Sequence, residues 1–225
     1  MFGSGTHCFP TGQQTLTHPF LLLLFRTGVV PLLLAMHCRL VPGKPLLRNR
    51  RNLMCDNISP CGETVFNQIK CQVTRLNLSA PGLFDAYLES QGSPFNRAEV
   101  KSLCVSKDTF PSFDNRTRKE MLISLYKIFT FFNASLGNIT RDQENNERKD
   151  LLERLSNTTA KTRGLLANLT CLLCSEYKVT DVKVTYGSEE TGAFEKKKQG
   201  CWALRMYAET IPLIAQALGK CHRQR

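Results

Sequence analysis

Residues 118–137, RKEMLISLYKIFTFFNASLG, carry the clearest secondary-structure signal in the chain. Their large apolar side chains recur at spacings of three and four, which places them on one face of an α-helix. We expect Asn115 to cap the start of this helix and Gly137 to end it. The apolar face consists of Leu122, Leu125, Phe129, Phe132 and Leu136.

Three other segments show the same helical period, at residues 62–89, 147–177 and 200–218. Pro81 and Gly82 lie inside the first segment, where we expect a bend or a break. Pro212 lies inside the last segment and is expected to kink it, since proline removes a backbone donor. Gly164 interrupts the third segment at a cost of about 1 kcal/mol relative to alanine.

The connections between these segments have unequal lengths, at residues 90–114, 138–146 and 178–199. A short connection makes neighbouring helices antiparallel, whereas a connection of more than about twenty residues can span the bundle and make them parallel. The long–short–long order therefore predicts an all-α fold, an up-up-down-down long-chain four-helix bundle with two long crossover loops. We place this bundle at residues 62–218, followed by a basic tail at 219–225.

Residues 1–43 are interpreted as a leader that contains a signal sequence. The apolar stretch at 20–36 is interrupted by Arg26 and is too short for a comfortable membrane span. Residues 29–36 would form its apolar centre, and residues 41–43 offer a cleavage point. A retained signal-anchor is the alternative, although we expect no stable membrane insertion.

Seven Asn-x-Ser/Thr sequons occur where chance would give about two. They predict a glycosylated, extracellular and therefore secreted protein. The basic run at 48–51 is either a proprotein-cleavage site or a solvated basic stretch. The sequon asparagines are Asn57, Asn77, Asn115, Asn133, Asn138, Asn157 and Asn168.

Ten cysteines are expected to form disulfides rather than metal sites in that compartment. Cys8 and Cys38 lie in the predicted leader, and the other eight allow many pairings. The pair Cys171-x-x-Cys174 leaves two alternatives. Either it forms a zinc site with two cysteines of residues 44–61, or disulfides tie that N-terminal segment to the third helix.

The four histidines lie at the edges of the chain, and removal of the leader would leave none before the C-terminal tail. This disfavours Ser–His–Asp and Cys–His catalysis and histidine zinc sites, so we expect no enzyme, no metal and no cofactor. Aromatic residues are not interleaved with basic ones, which disfavours nucleic-acid binding despite a net charge of +11. The histidines are His7, His18, His37 and His222.

The basic run at 196–198 would either bind heparin or matrix or form a solvated loop. Phe194 precedes this run in a segment rich in Gly, Ser and Glu, with little core to join. An exposed aromatic beside lysines is typical of an interface anchor.

Several longer motifs resemble the leukaemia inhibitory factor type of long-chain four-helix cytokine, within the interleukin-6 superfamily. The resemblance covers roughly residues 28–218 and leaves out the first 27 residues and the tail from Gly219. The motifs are GVVPLLL at 28–34, SLGNITRDQ at 135–143, Cys-x-x-Cys-Ser at 171–175, VTYG at 184–187 and Phe-x-Lys-Lys-Lys-x-Gly-Cys at 194–201.

The resemblance implies a secreted, monomeric growth factor that bridges a dedicated receptor and the shared glycoprotein 130 chain to start JAK/STAT signalling. Residues matching the dedicated-receptor site are Pro94, Phe194 and Lys197. Residues at the shared-receptor positions are Gln68, Cys71, Arg75, Gly164 and Asn168. At Gly164, the missing side chain would let the receptor approach the helix closely. The implied disulfides are Cys55–Cys174, Cys61–Cys171 and Cys104–Cys201.

The chain departs from this pattern at three positions. Cys71 replaces a small polar residue, and Cys221 is an additional tail cysteine. These two cysteines either pair across antiparallel first and fourth helices, remain free, or link two chains. Asn168 is a sequon on the expected receptor surface, so we expect that site to be unused or the surface to be shifted.

Three rival functions remain open. A related cytokine of the oncostatin or ciliary-factor type would use the shared chain with a different partner. A secreted basic hydrolase would show turnover, which the absence of histidines from the body disfavours. A heparin- or matrix-binding structural protein would bind in a strongly salt-dependent manner without activating a receptor.

Overall fold

The computed structural model describes residues 55, 60–144, 148–184 and 192–222. The predicted leader, the basic run at 48–51 and the Asn57 sequon lie outside these residues. Within them the secondary structure is helical, without strands. The helices are α1 (Val65–Gln91), the short α2 (Val100–Leu103), α3 (Arg118–Gln143), α4 (Lys149–Ser175) and α5 (Ala193–Leu218).

The four long helices form an up-up-down-down bundle, as the connection lengths predict. Helix α1 packs on α4 and α5, and α3 packs on the same two helices. The start of α1 lies beside the end of α4, and its end lies beside the start of α5. The start of α3 likewise meets the end of α4, and its end meets the start of α5. Helices α1 and α3 are therefore parallel, with α4 and α5 antiparallel to both.

The core is built from the predicted apolar faces. The five large side chains of the α3 face are almost completely buried. Phe131 contacts Trp202 edge-to-face at 5.5 Å between ring centroids, and Phe132 contacts Tyr207 in the same way at 5.0 Å. Such aromatic pairs add to the burial of apolar area, so the α3–α5 contact is a strong part of the core.

Both predicted ends of α3 are wrong. The cap is Thr117 rather than Asn115, because the Thr117 hydroxyl accepts the Glu120 N–H at 3.1 Å and also contacts the Glu120 carboxylate. This is the N-cap half of a capping box: the Thr117 hydroxyl satisfies the Glu120 N–H, and the Glu120 carboxylate accepts from that hydroxyl rather than from the Thr117 backbone N–H. Gly137 does not end α3, since Ile139 packs into the core and Gln143 bonds Gln91 at 3.2 Å.

The expected start of α5 at residue 200 is wrong, and of the bend or break expected in α1 the break does not occur. Helix α1 does not break at residues 81–82 but continues to Gln91, because buried Ala80 and Leu83 hold it against the core on both sides of exposed Pro81. Helix α5 begins at Ala193, so the run at 196–198 is helical rather than a loop. It also continues through Pro212.

Four disulfides tie the described part of the chain together. Three have the pairing that the resemblance implies. Two of these three join Cys171 and Cys174 to the N-terminal segment, so those sulfurs form disulfides and not a zinc site. Loss of a bridge that closes a long loop typically costs about 2–5 kcal/mol. The bridges are Cys55–Cys174, Cys61–Cys171, Cys104–Cys201 and, in addition, Cys71–Cys221. None of the helices described here has the length and apolar character needed to cross a membrane.

Candidate functional site

The residues expected to contact a dedicated receptor lie where the end of α1 meets the start of α5. Pro94 is exposed in the loop after α1, and Phe194 lies in the first turn of α5 with 48% of its surface exposed. The Phe194 ring packs against buried Phe95 at 5.7 Å between centroids. One side of the ring is therefore supported while the other faces solvent. We call Pro94, Phe194 and Lys197 the Phe194 surface.

Lys197 has an internal partner that the sequence did not indicate. It is half-buried, and its Nζ atom lies 3.5 Å from the carbonyl oxygen of Gln91, the last residue of α1. A cation at this position is favoured by the negative end of the helix dipole. Lys197 therefore helps to join α1 to α5.

The two flanking lysines form ion pairs. Lys196 Nζ lies 3.1 Å from Asp142, and Lys198 Nζ lies 3.1 Å from Glu195. The ammonium of Lys198 also lies 5.9 Å from the centre of the Phe194 ring. Because carboxylates neutralise part of this run, it is less suited to binding heparin by charge alone.

Tyr87 and Gly200 position the first turns of α5, and sequence reasoning missed both. The buried Tyr87 hydroxyl donates to the Lys197 carbonyl oxygen at 3.0 Å. Burial, with a smaller contribution from the Asp142 charge, raises the pKa of Tyr87 far above its usual value and keeps the hydroxyl protonated. A Cβ atom at Gly200 would clash with that hydroxyl and approach Ile139 Cγ1 at 3.2 Å.

The residues expected to contact the shared receptor lie along α1 and α4. Asn168 Nδ2 donates to Gln72 Oε1 at 3.0 Å and lies 3.5 Å from Gln68 Oε1. A Cβ atom at Gly164 would lie 3.4 Å from Gln72 Nε2, so the glycine leaves room for the Gln72 side chain. Gln72 is thus a central residue that the sequence did not indicate. We call Gln68, Cys71, Arg75, Gly164 and Asn168 the Gly164 surface.

Cys71 is linked to the C-terminal tail. It forms a disulfide with Cys221, with a Cα–Cα distance of 4.8 Å, so the pairing left open above occurs within one chain. The neighbouring His222 N–H donates to Asn67 Oδ1 at 3.0 Å. We call residues 219–222 the tail strap.

The described sequons differ in whether the asparagine side chain is accessible for attachment of a glycan. Asn168 already uses Nδ2, the atom to which a glycan attaches, in contacts with α1. Asn133 has a buried side-chain oxygen without a hydrogen-bond partner. Asn115, Asn138 and Asn157 are exposed and present no such conflict, while Asn77 is half-buried.

Among the side chains that the structure describes, no group of three or more His, Cys, Asp or Glu residues is arranged to hold a metal ion. The sequence matches the family model described as the LIF / OSM family over residues 64–218, which is more than half of the chain. Members of this family are cytokines of the interleukin-6 type rather than enzymes, and they act by binding receptors. This chain belongs to the LIF / OSM family.

Proposed function

We propose that the protein is a secreted cytokine that bridges a dedicated leukaemia-inhibitory-factor-type receptor and the shared glycoprotein 130 chain, and thereby starts JAK/STAT signalling. The observation that carries this proposal is the separation of the two surfaces along α1. From Gln68 to Gln91 the helix rises about 35 Å at 1.5 Å per residue. Two receptor chains can therefore bind one molecule without competing for the same residues.

The Phe194 surface suits a receptor with an apolar pocket. Phe95 supports one side of the Phe194 ring, so little side-chain entropy is lost when the exposed side is buried. Buried aromatic anchors of this kind commonly dominate the binding free energy of an interface. We assign the dedicated receptor to this surface.

The Gly164 surface suits a more polar contact. It presents amide groups of Gln68 and Asn168, which are already ordered by their contacts across α1 and α4. The missing side chain at Gly164 allows close approach of a partner to the helix. We assign the shared receptor chain to this surface.

Secretion, N-glycosylation and a monomeric state belong to the same proposal. Disulfides between distant segments are typical of proteins that fold in an oxidising compartment. The exposed sequons at Asn115, Asn138 and Asn157 are the positions we expect to carry glycans.

A cytokine of the oncostatin type is the second candidate, because the matched family model covers both types. The two candidates differ in the partner of the Phe194 surface rather than in the fold. Cells that express the shared chain with each alternative partner in turn would distinguish them.

The test is to replace Phe194 with alanine and measure binding to each isolated receptor ectodomain by surface plasmon resonance. We expect at least a thirtyfold loss for the dedicated receptor, corresponding to about 2 kcal/mol or more, because the aromatic anchor is removed. Leu213→Ala is the matched control, since Leu213 is also an exposed apolar residue of α5, at 61%, but lies near the other end of the helix. Equal binding by Phe194→Ala and the unmodified protein would contradict the assignment.

A further inference from the structure

The tail strap is held in place by more than the Cys71–Cys221 disulfide. Helix α5 ends at Leu218 and is followed by Gly219, whose φ of 73° belongs to the left-handed region. The Gly219 N–H bonds the Ala215 and Gln216 carbonyls at 3.2 Å. This turn is typical of a helix C-terminus and directs the chain toward α1. Further along, the Cys71–Cys221 disulfide attaches the strap covalently.

A second attachment follows the disulfide. The side-chain amide of Asn67 makes two hydrogen bonds with the His222 backbone, accepting from its N–H at 3.0 Å and donating to its carbonyl oxygen. Since Asn67 lies one helical turn before Cys71, both attachments hold the strap on the same part of α1. The strap is therefore fixed relative to the Gly164 surface.

The strap forms one wall of an open groove of about 1300 Å³ between α1 and the end of α5. The α1 wall includes Gln68, Cys71 and Arg75, three of the five residues of the Gly164 surface. The groove and the Gly164 surface are therefore continuous. A receptor chain that contacts Gln68 and Arg75 lies at the rim of this groove.

The chemistry of the groove favours an acidic partner. Arg75 and Lys220 line it, and none of the described lining residues is acidic. Leu78, which is 80% exposed, and Pro212 add apolar surface to the same lining. A groove of this kind is complementary to an acidic loop that also carries an apolar side chain.

We propose that the tail strap is part of the shared-receptor surface and that its groove binds an acidic loop of the shared receptor chain. This inference rests on the proposed function, because it extends the surface assigned there to the shared chain. The strap contributes a preformed wall and the charge of Lys220. Opening the Cys71–Cys221 bridge leaves only the Asn67–His222 hydrogen bonds to hold that wall, and the looser strap weakens binding of the shared chain selectively.

The first test opens the strap in the full-length protein. The double variant Cys71→Ser/Cys221→Ser removes the bridge without leaving an unpaired thiol, and the other three disulfides remain. Surface plasmon resonance measures binding to each isolated receptor ectodomain. We expect about tenfold weaker binding to the shared chain, mainly through faster dissociation, and unchanged binding to the dedicated receptor.

The second test leaves the bridge intact and reverses one charge, Lys220→Glu. We expect association with the shared chain to slow by about three- to tenfold at low salt, and this difference to shrink as the ionic strength rises. Lys101→Glu, an exposed position on α2 outside the groove, is the charge-matched control.

The outcomes separate this inference from the proposed function. If the unmodified protein binds the shared chain and both the double variant and Lys220→Glu bind it equally well, the strap inference is overturned and the proposed function stands. If the unmodified protein does not bind the shared chain, both are overturned. Selective loss of shared-chain binding in the double variant, with slower association of Lys220→Glu, supports the inference.

Discussion

The two ends of the bundle are stabilised in different ways. At the end where α1 begins, three disulfides join α1 and the preceding segment to α4 and to the tail strap. At the opposite end, one disulfide joins the first crossover to α5, and the first turns of α5 depend on hydrogen bonds and ring packing. The Gly164 surface therefore lies at the covalently fixed end. The Phe194 surface depends on noncovalent packing.

The two proposed interactions are therefore sensitive to different changes. Changes in core packing near Tyr87 and Gly200 should alter the Phe194 surface without disturbing the other end. Removal of disulfides near the start of α1 should act mainly on the Gly164 surface.

Removing the Cys61–Cys171 bridge with serine at both positions should give the largest loss of stability. The bridge closes a long loop, so the free energy of unfolding should fall by about 2–5 kcal/mol. Denaturant unfolding followed by circular dichroism measures this change. A decrease in the free energy of unfolding of less than about 1 kcal/mol would show that the end where α1 begins does not depend on this bridge.

Gly200→Ala should destabilise the end of the bundle that carries the Phe194 surface. Its Cβ would clash with the Tyr87 hydroxyl and displace the first turns of α5, at a cost of about 1–3 kcal/mol for overpacking. Binding to the dedicated receptor should weaken more than binding to the shared chain, which surface plasmon resonance can measure. Gly137→Ala in α3 is the control, because a Cβ atom there meets nothing within 4 Å. Equal weakening of both receptor interactions would contradict the proposed separation of the two ends.

Gly164→Ala should have opposite effects on stability and binding. Alanine favours a helix by up to about 1 kcal/mol over glycine, and its Cβ would meet only the flexible end of Gln72. The melting temperature should therefore rise slightly while binding to the shared chain weakens, because the added methyl group obstructs close approach. Stronger shared-chain binding by this variant would exclude Gly164 from the interface.

The smallest expected effect concerns Asp114, which is paired with Arg116 before α3. Hydrogen bonds from the Arg116 side chain and backbone lower the pKa of this carboxyl to about 2. Because this folded-state value lies below the usual value near 4, the pair stabilises the fold above about pH 4, and its contribution is lost as the pH falls toward 2. NMR titration of the carboxyl carbon should give a midpoint near 2, and a midpoint near 4 would exclude the pairing in solution.

The bundle could be predicted because the side chains that a helix buries on one face recur every three or four residues in the sequence. The apolar faces and the unequal connections determine which helices are parallel, and the structure confirms both. The sequence also contains Thr117-x-x-Glu120, the signature of a capping box, and in the structure Thr117 rather than Asn115 caps the helix. The expectation that Gly137 ends α3 was wrong because buried residues beyond it, such as Ile139, continue to pack against the core and keep the chain helical.

The early start of α5 was not predictable from the apolar period. Residues 193–199 are largely polar, and their helix is stabilised by contacts with other helices, such as Lys197 with Gln91 and Lys196 with Asp142. The internal roles of Tyr87 and Gly200 depend on the same approach of distant segments. The position of Phe194 beside lysines was visible in the sequence, whereas its support by Phe95 was not.

Simultaneous binding of the two receptor chains tests the central claim of two independent surfaces most directly. Analytical ultracentrifugation of the protein with both ectodomains should show a complex containing one copy of each chain. Phe194→Ala should shift the mixture toward the pair with the shared chain, and Gly164→Ala should shift it toward the pair with the dedicated receptor. A result in which the two receptor chains displace each other from the unmodified protein would contradict the account.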